Sequence, residues 1–151
     1  MYSRLSIGLV AALFLVLPAT SNAAATRAEF IAQVDPICKR ADAEILPLTK
    51  ASARAIRHEN LRLAARKLST ANKMFRVSLQ EIAAVPPPPS DEVLINRWEG
   101  LEYRDTVHTE HLVAALKNEN LKKARAISKK SAQLEKRIDR LIGDYGFNEC
   151  N

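Results

Sequence analysis

Four polar side chains able to hydrogen-bond a ligand or one another fall at a similar depth in the helical stripes of this sequence: Asn72, Asp105, His108 and Ser131. Counted from the matched polar turns at 58–60 and 118–120, all four lie roughly three turns down the same end of the molecule. Asp105 and His108 stand three apart and share a helix face, so their simplest use is a hydrogen-bonded polar layer inside the core. The alternative use is a small-ligand pocket, or haem held by His108 with Tyr103 or His111, because bundles place cofactors between facing helices. A di-iron site needs Glu-x-x-His on two helices and two further carboxylates, whereas this chain has Asp105-x-x-His108 on one. No metal and no cofactor is therefore expected. There is no Cys-x-x-Cys-His, no Gly-x-Ser-x-Gly and no glycine-rich phosphate loop, so no catalytic residue is assigned and an enzyme is not expected.

Charge is the other source of chemistry, in a chain with a formal net charge of +6. The last helical stripe carries Lys122, Lys123, Arg125, Lys129, Lys130, Lys136, Arg137 and Arg140 opposite its apolar side, and the second carries Arg62, Arg66, Lys67, Lys73 and Arg76. The third is acidic, with Asp91, Glu92, Glu99, Glu102, Asp105 and Glu110, and complementarity between neighbours accounts for much of the pattern. The functional alternative is attraction of the last helix to anionic cell-envelope components, or to an unknown protein partner. Nucleic acid is not expected, because no aromatic residues interleave the basic face.

Positioning these residues falls to helices. The chain has 4 glycines in 151 residues and no alternating Val/Ile/Thr run, which points to an all-α fold. Residues 1–25 read as a secretory signal peptide, with a basic start, an apolar run over Leu5–Leu17 too short to span a bilayer, and small residues that permit cleavage after Ala23 or Ala25. The product is expected to be secreted or periplasmic, without a transmembrane anchor after cleavage. Residues 26–151 then form one domain: a hairpin over 26–85, a Pro86–Pro89 connector, a second hairpin over 90–145 and a tail over 146–151.

Ala55-Ile56-Arg57-His58-Glu59-Asn60-Leu61 and Ala115-Leu116-Lys117-Asn118-Glu119-Asn120-Leu121 match at a constant offset, implying two similar αα-hairpins. The simplest assembly is an up-down-up-down four-helix bundle. Thr26 and Glu29 form a capping box at its start. Asp35-Pro36 is a second start signal that divides residues 27–34 off as a separate turn or kinked lead-in, and Pro47 bends the helix without ending it. Ser90 is placed to cap the third helix. The fourth runs to Tyr145 and is stopped by Gly146, after which Phe147 folds back as an apolar plug and Cys150 arrives beside Cys38. The only two cysteines allow one bridge, suited to an oxidising compartment.

The run Phe30-Ile31-Ala32-Gln33-Val34-Asp35-Pro36-Ile37-Cys38 and the ending Tyr145-Gly146-Phe147-Asn148-Glu149-Cys150 resemble a group of small exported bacterial helical proteins, largely actinobacterial. Those carry a Phe-x-x-x-Ala-Asp-x-Ile-Cys-like start and a Tyr-Gly-Phe/Leu-x-x-Cys end. The resemblance implies export and a terminal bridge and brings no activity with it. On this reading the chain is a non-enzymatic binding or envelope-interaction module, with a small-ligand or haem carrier as the alternative.

Overall fold

The computed structural model describes residues 25–150, so the signal-peptide reading, apart from Ala25 itself, lies outside the described residues. Four helices follow in order: α1 (Arg27–Arg57), α2 (Leu61–Ala83), α3 (Glu92–Lys117) and α4 (Leu121–Ile142). α1 packs on α2, α2 on α3 and α3 on α4, giving the expected all-α bundle of two hairpins. No Cα of α1 comes within 8 Å of a Cα of α4, so the fourth seam is left open by the helices themselves.

α1 begins at the capping box, where Thr26 Oγ1 accepts from Glu29 N at 3.3 Å and Glu29 Oε2 accepts from Thr26 N at 2.8 Å. It is one helix through both Pro36 and Pro47, not a lead-in followed by a main segment. Each proline lacks the N–H that would reach the carbonyl four residues earlier, on Ala32 and Ala43. Both of those residues are exposed, so water can satisfy the freed carbonyls and the helix continues. Nor is Asp35 a cap. It is buried, and its carboxylate accepts from Asn148 N at 3.1 and 3.2 Å, from Asn148 Nδ2 at 3.1 Å and from Glu149 N at 3.2 Å.

The repeated sequence at the turns gives repeated geometry. Asn60 N donates to Ala55 O and Asn120 N to Ala115 O, both at 2.9 Å, while Glu59 and Glu119 adopt φ of 57° and 54°. This is the left-handed helix closure in which a glycine is usual, built twice with glutamate. Asn60 and Asn120 then cap α2 and α4 by accepting from Leu63 N and Lys123 N, each at 3.0 Å.

At the start of α3 the structure corrects the sequence: Asp91, not Ser90, occupies the cap position, and its side chain makes no capping bond. Its buried carboxylate instead accepts from Arg27 Nε and Nη2 at 2.8 Å each and from the Tyr145 hydroxyl at 3.0 Å. The Arg27 guanidinium holds the Asp91 carboxyl down to about 2, and burial, with Asp91 nearby, pushes the Tyr145 hydroxyl up to about 12. This node ties the first turn of α1, the start of α3 and the tail together.

α4 ends at Ile142, three residues short of the expected Tyr145. Gly146 then takes φ of 108°, which turns the chain back across the open seam. Phe147 is buried among Tyr145, Trp98 and Phe30, with ring centroids 4.9, 5.3 and 6.1 Å away. Cys150 joins Cys38 with Cα atoms 5.3 Å apart. The aromatic tail and the disulfide therefore fill one end of the gap between α1 and α4.

Two apolar clusters result. One, at the tail end, contains Phe30, Val34, Ile95, Trp98, Ile138, Tyr145 and Phe147, and the other, at the turn end, is alanine-rich, with Ala55, Ala64, Ala65, Ala115 and Ala124 around Leu116. In the middle of α1 the apolar residues Ile37, Ala41, Ile45 and Leu48, spaced three and four apart along one face, are only half-buried. Their stripe is in phase, but α4 does not cover it.

Candidate functional site

The open seam leads into a cavity of about 550 Å³ lined by all four helices and the tail. Its apolar floor is Phe75, Leu79 and Ile82 of α2, Trp98 of α3, and Ile138 and Ile142 of α4. Around it stand Asp42 of α1, Glu102 and Asp105 of α3, Glu135 and Asp139 of α4, and Glu149 of the tail, with Cys38 and Cys150 at one side. Among the described residues no lysine, arginine or histidine lines it. Helical periodicity explains how one face supplies both chemistries. Trp98, Glu102 and Asp105 are spaced i, i+4, i+7, and Glu135, Ile138, Asp139 and Ile142 are spaced i, i+3, i+4, i+7.

The electrostatic centre is Glu102. Its Oε1 accepts from Trp98 Nε1 at 3.0 Å. Burial pushes its carboxyl up to about 7; the indole hydrogen bond opposes that rise, and the negative charges of Asp105, Asp139 and Glu135 add to it. Burial, followed by Asp105 and Asp139, also raises the Glu135 carboxyl. The Glu102 carboxyl can hold or release a proton near neutral pH.

A pH-dependent stability follows. Native Glu102 keeps its proton to about 7, while a glutamate in the unfolded chain releases it near 4.5, so between those values the native state binds more protons and stability falls as pH rises. Glu102→Gln, which keeps an acceptor for Trp98, is expected to raise the Tm by about 3 to 6 °C at about pH 8 and to leave it unchanged near pH 4. Paired thermal melts at the two pH values measure this.

The structure distributes the four polar residues singled out in the sequence between two interfaces. All four occupy the level between the two apolar clusters. Asn72 is buried between α2 and α3, where its Nδ2 donates to Thr106 O at 3.0 Å, away from the cavity. Asp105 lines the cavity; His108 and Ser131 are not among its lining residues. His108 Nδ1 and Asp105 Oδ1 are 4.0 Å apart, too far for the mutual hydrogen bond expected of them. Those two atoms and Ser131 Oγ are buried without a hydrogen-bond partner. Tyr103 and His111, named as second haem ligands, are both exposed, and Tyr103 lies under the Arg76 guanidinium, 5.0 Å from its ring centroid.

Charge complementarity holds between α2 and α3, where Arg76 pairs with Glu110, and between α2 and the last turn, where Arg62 lies 3.6 Å from Glu119. It does not extend to α4. Lys122, Lys123, Arg125, Lys129, Lys130, Lys136, Arg137 and Arg140 are all exposed, and none forms an ion pair among the described residues. No family model matches this chain, and neither a curated protein nor a solved structure matches it.

The acidic cavity was not expected from the sequence. The available signals were the Trp98-x-x-x-Glu102 spacing and Glu135 and Asp139, the two acids of an otherwise basic helix, on the flank away from the lysines.

Proposed function

We propose that the protein is a non-enzymatic binding module that holds a small ligand in the cavity between its helices, acting as a secreted or periplasmic protein. The cavity is the observation that carries this reading. A bundle built only for stability would close α1 onto α4 and cover Ile37, Ala41, Ile45, Leu48 and Phe75, which are only half-buried here, since apolar surface left facing solvent forgoes part of its burial free energy. Here the returning tail occupies one end of the open seam, beside a volume in the range of small-molecule sites. The disulfide supports an oxidising compartment, and no described helix is long and apolar enough to cross a membrane.

A second reading rests on α4, whose eight unpaired cations suit an anionic envelope surface. One experiment separates the two. Trp98 is the sole tryptophan and lines the cavity, so its emission reports occupancy. Protein purified from its own host is expected to carry a small molecule by native mass spectrometry, and its removal to shift Trp98 emission. An empty protein whose emission ignores host extract, but which co-sediments with anionic vesicles in a salt-sensitive way, would replace the cavity reading with the surface one.

A further inference from the structure

Six carboxylates line this cavity in a protein whose net charge is positive, and the four on α3 and α4 have no lysine or arginine paired with them among the described residues. Glu102, Asp105, Glu135 and Asp139 have no ion pair to lysine or arginine among the described residues; the nearest base is His108, 4.0 Å from Asp105. Glu149, on the tail, is already paired with Lys39 at 3.0 Å, and Asp42 faces the cavity from the exposed side of α1. α2 contributes Ser78 and apolar side chains. Like charges held this close over an apolar floor repel one another, and the strain is relieved either by a proton or by a cation from solution.

We propose that the cavity takes an organic cation with an apolar body, its positive charge held among Glu102, Asp105, Glu135 and Asp139 and its body lying on Phe75 and Trp98. This rests on the reading of the cavity as a ligand site and gives that ligand its chemical class. Three observations lead to it. The floor is aromatic and branched-aliphatic, which selects an apolar body. The carboxylates come from two helices and do not converge: no three acidic, histidine or cysteine side chains among the described residues could hold a metal ion. A diffuse negative field over an apolar surface fits a bulky ammonium better than a compact divalent ion, which demands close oxygen ligands. Finally, Asp105 lines the cavity, and one of its carboxylate oxygens, Oδ1, has no hydrogen-bond partner among the described residues.

Protonation of Glu102 competes with the cation for the same repulsion. Affinity for an ammonium therefore rises with pH through the range where Glu102 ionises, and affinity for a neutral ligand does not.

The full oxidised protein can be titrated with three isosteric probes, 4-phenylbutylammonium, 4-phenylbutanol and 4-phenylbutanoate, following Trp98 emission and calorimetry. The ammonium is expected to bind about tenfold or more tighter than the alcohol at about pH 8, and the carboxylate more weakly than either. The ammonium's advantage should shrink about tenfold at about pH 5.5 or in Glu102→Gln. Glu135→Gln with Asp139→Asn, both at exposed positions and so tolerant of change, should reduce the ammonium's advantage over the alcohol. Equal binding of ammonium and alcohol would overturn the cationic class and leave a binding module for neutral ligands. If none of the three probes perturbs Trp98 while host extract does, the class again fails and the module stands; silence toward both removes the two together.

Discussion

Replacing Cys38 and Cys150 with serine is expected to lower the free energy of unfolding by about 5 kcal/mol, the loss of closure entropy for a loop spanning 112 residues. That is comparable with the whole stability of an ordinary domain. Nothing else in the chain links α1 to the tail covalently, and α1 has no helix-to-helix contact with α4 that could compensate. The Asp35 bonds to Asn148 and Glu149, the Lys39–Glu149 pair and the Phe147 plug would then have to hold the tail. Urea denaturation of the variant, and of the parent with and without reductant, measures the effect. Midpoints that coincide would mean that the hydrogen bonds and the aromatic plug suffice.

Phe147→Ala should cost about 3 to 5 kcal/mol, the usual range for emptying a buried aromatic position. The ring touches aromatic partners from α1, α3 and the tail itself, so no single neighbour can collapse into its place. Because Phe147 and the disulfide fix the same short segment after Gly146, their costs should not add: once the bridge is gone, part of what Phe147 holds is already loose. A double-mutant cycle by denaturant melts should show the combined loss smaller than the sum by about 1 kcal/mol or more. Simple additivity would mean that plug and bridge act on separate units.

The periodicity that placed four helices, the two turns and the disulfide was legible in the sequence because each rests on local chemistry: apolar spacing, an Asn cap, a pair of cysteines. Asp35 and the start of α3 were misread for the same reason. Beside Pro36, Asp35 looks like a cap, and Ser90 looks like the cap of α3 with Asp91 only one acid of that helix; only the returning tail and the distant Arg27 give the two aspartates their partners. The cavity was hidden more deeply. A stripe of Ile37, Ala41, Ile45 and Leu48 says that α1 has an apolar face, but not that the neighbouring helix fails to cover it. Glu102 reads as one charge on an acidic helix until Trp98, Glu135 and Asp139 are seen around it.

The position of the bridge also decides where a mechanical load would travel. Tension applied between the two termini passes along residues 26–38, through the sulfurs and out at residue 150. The chain between Cys38 and Cys150, which includes α2, α3, α4 and the cavity lining other than the two cysteines, would carry none of it. Pulling can peel the first turns of α1 and then stalls at the bridge.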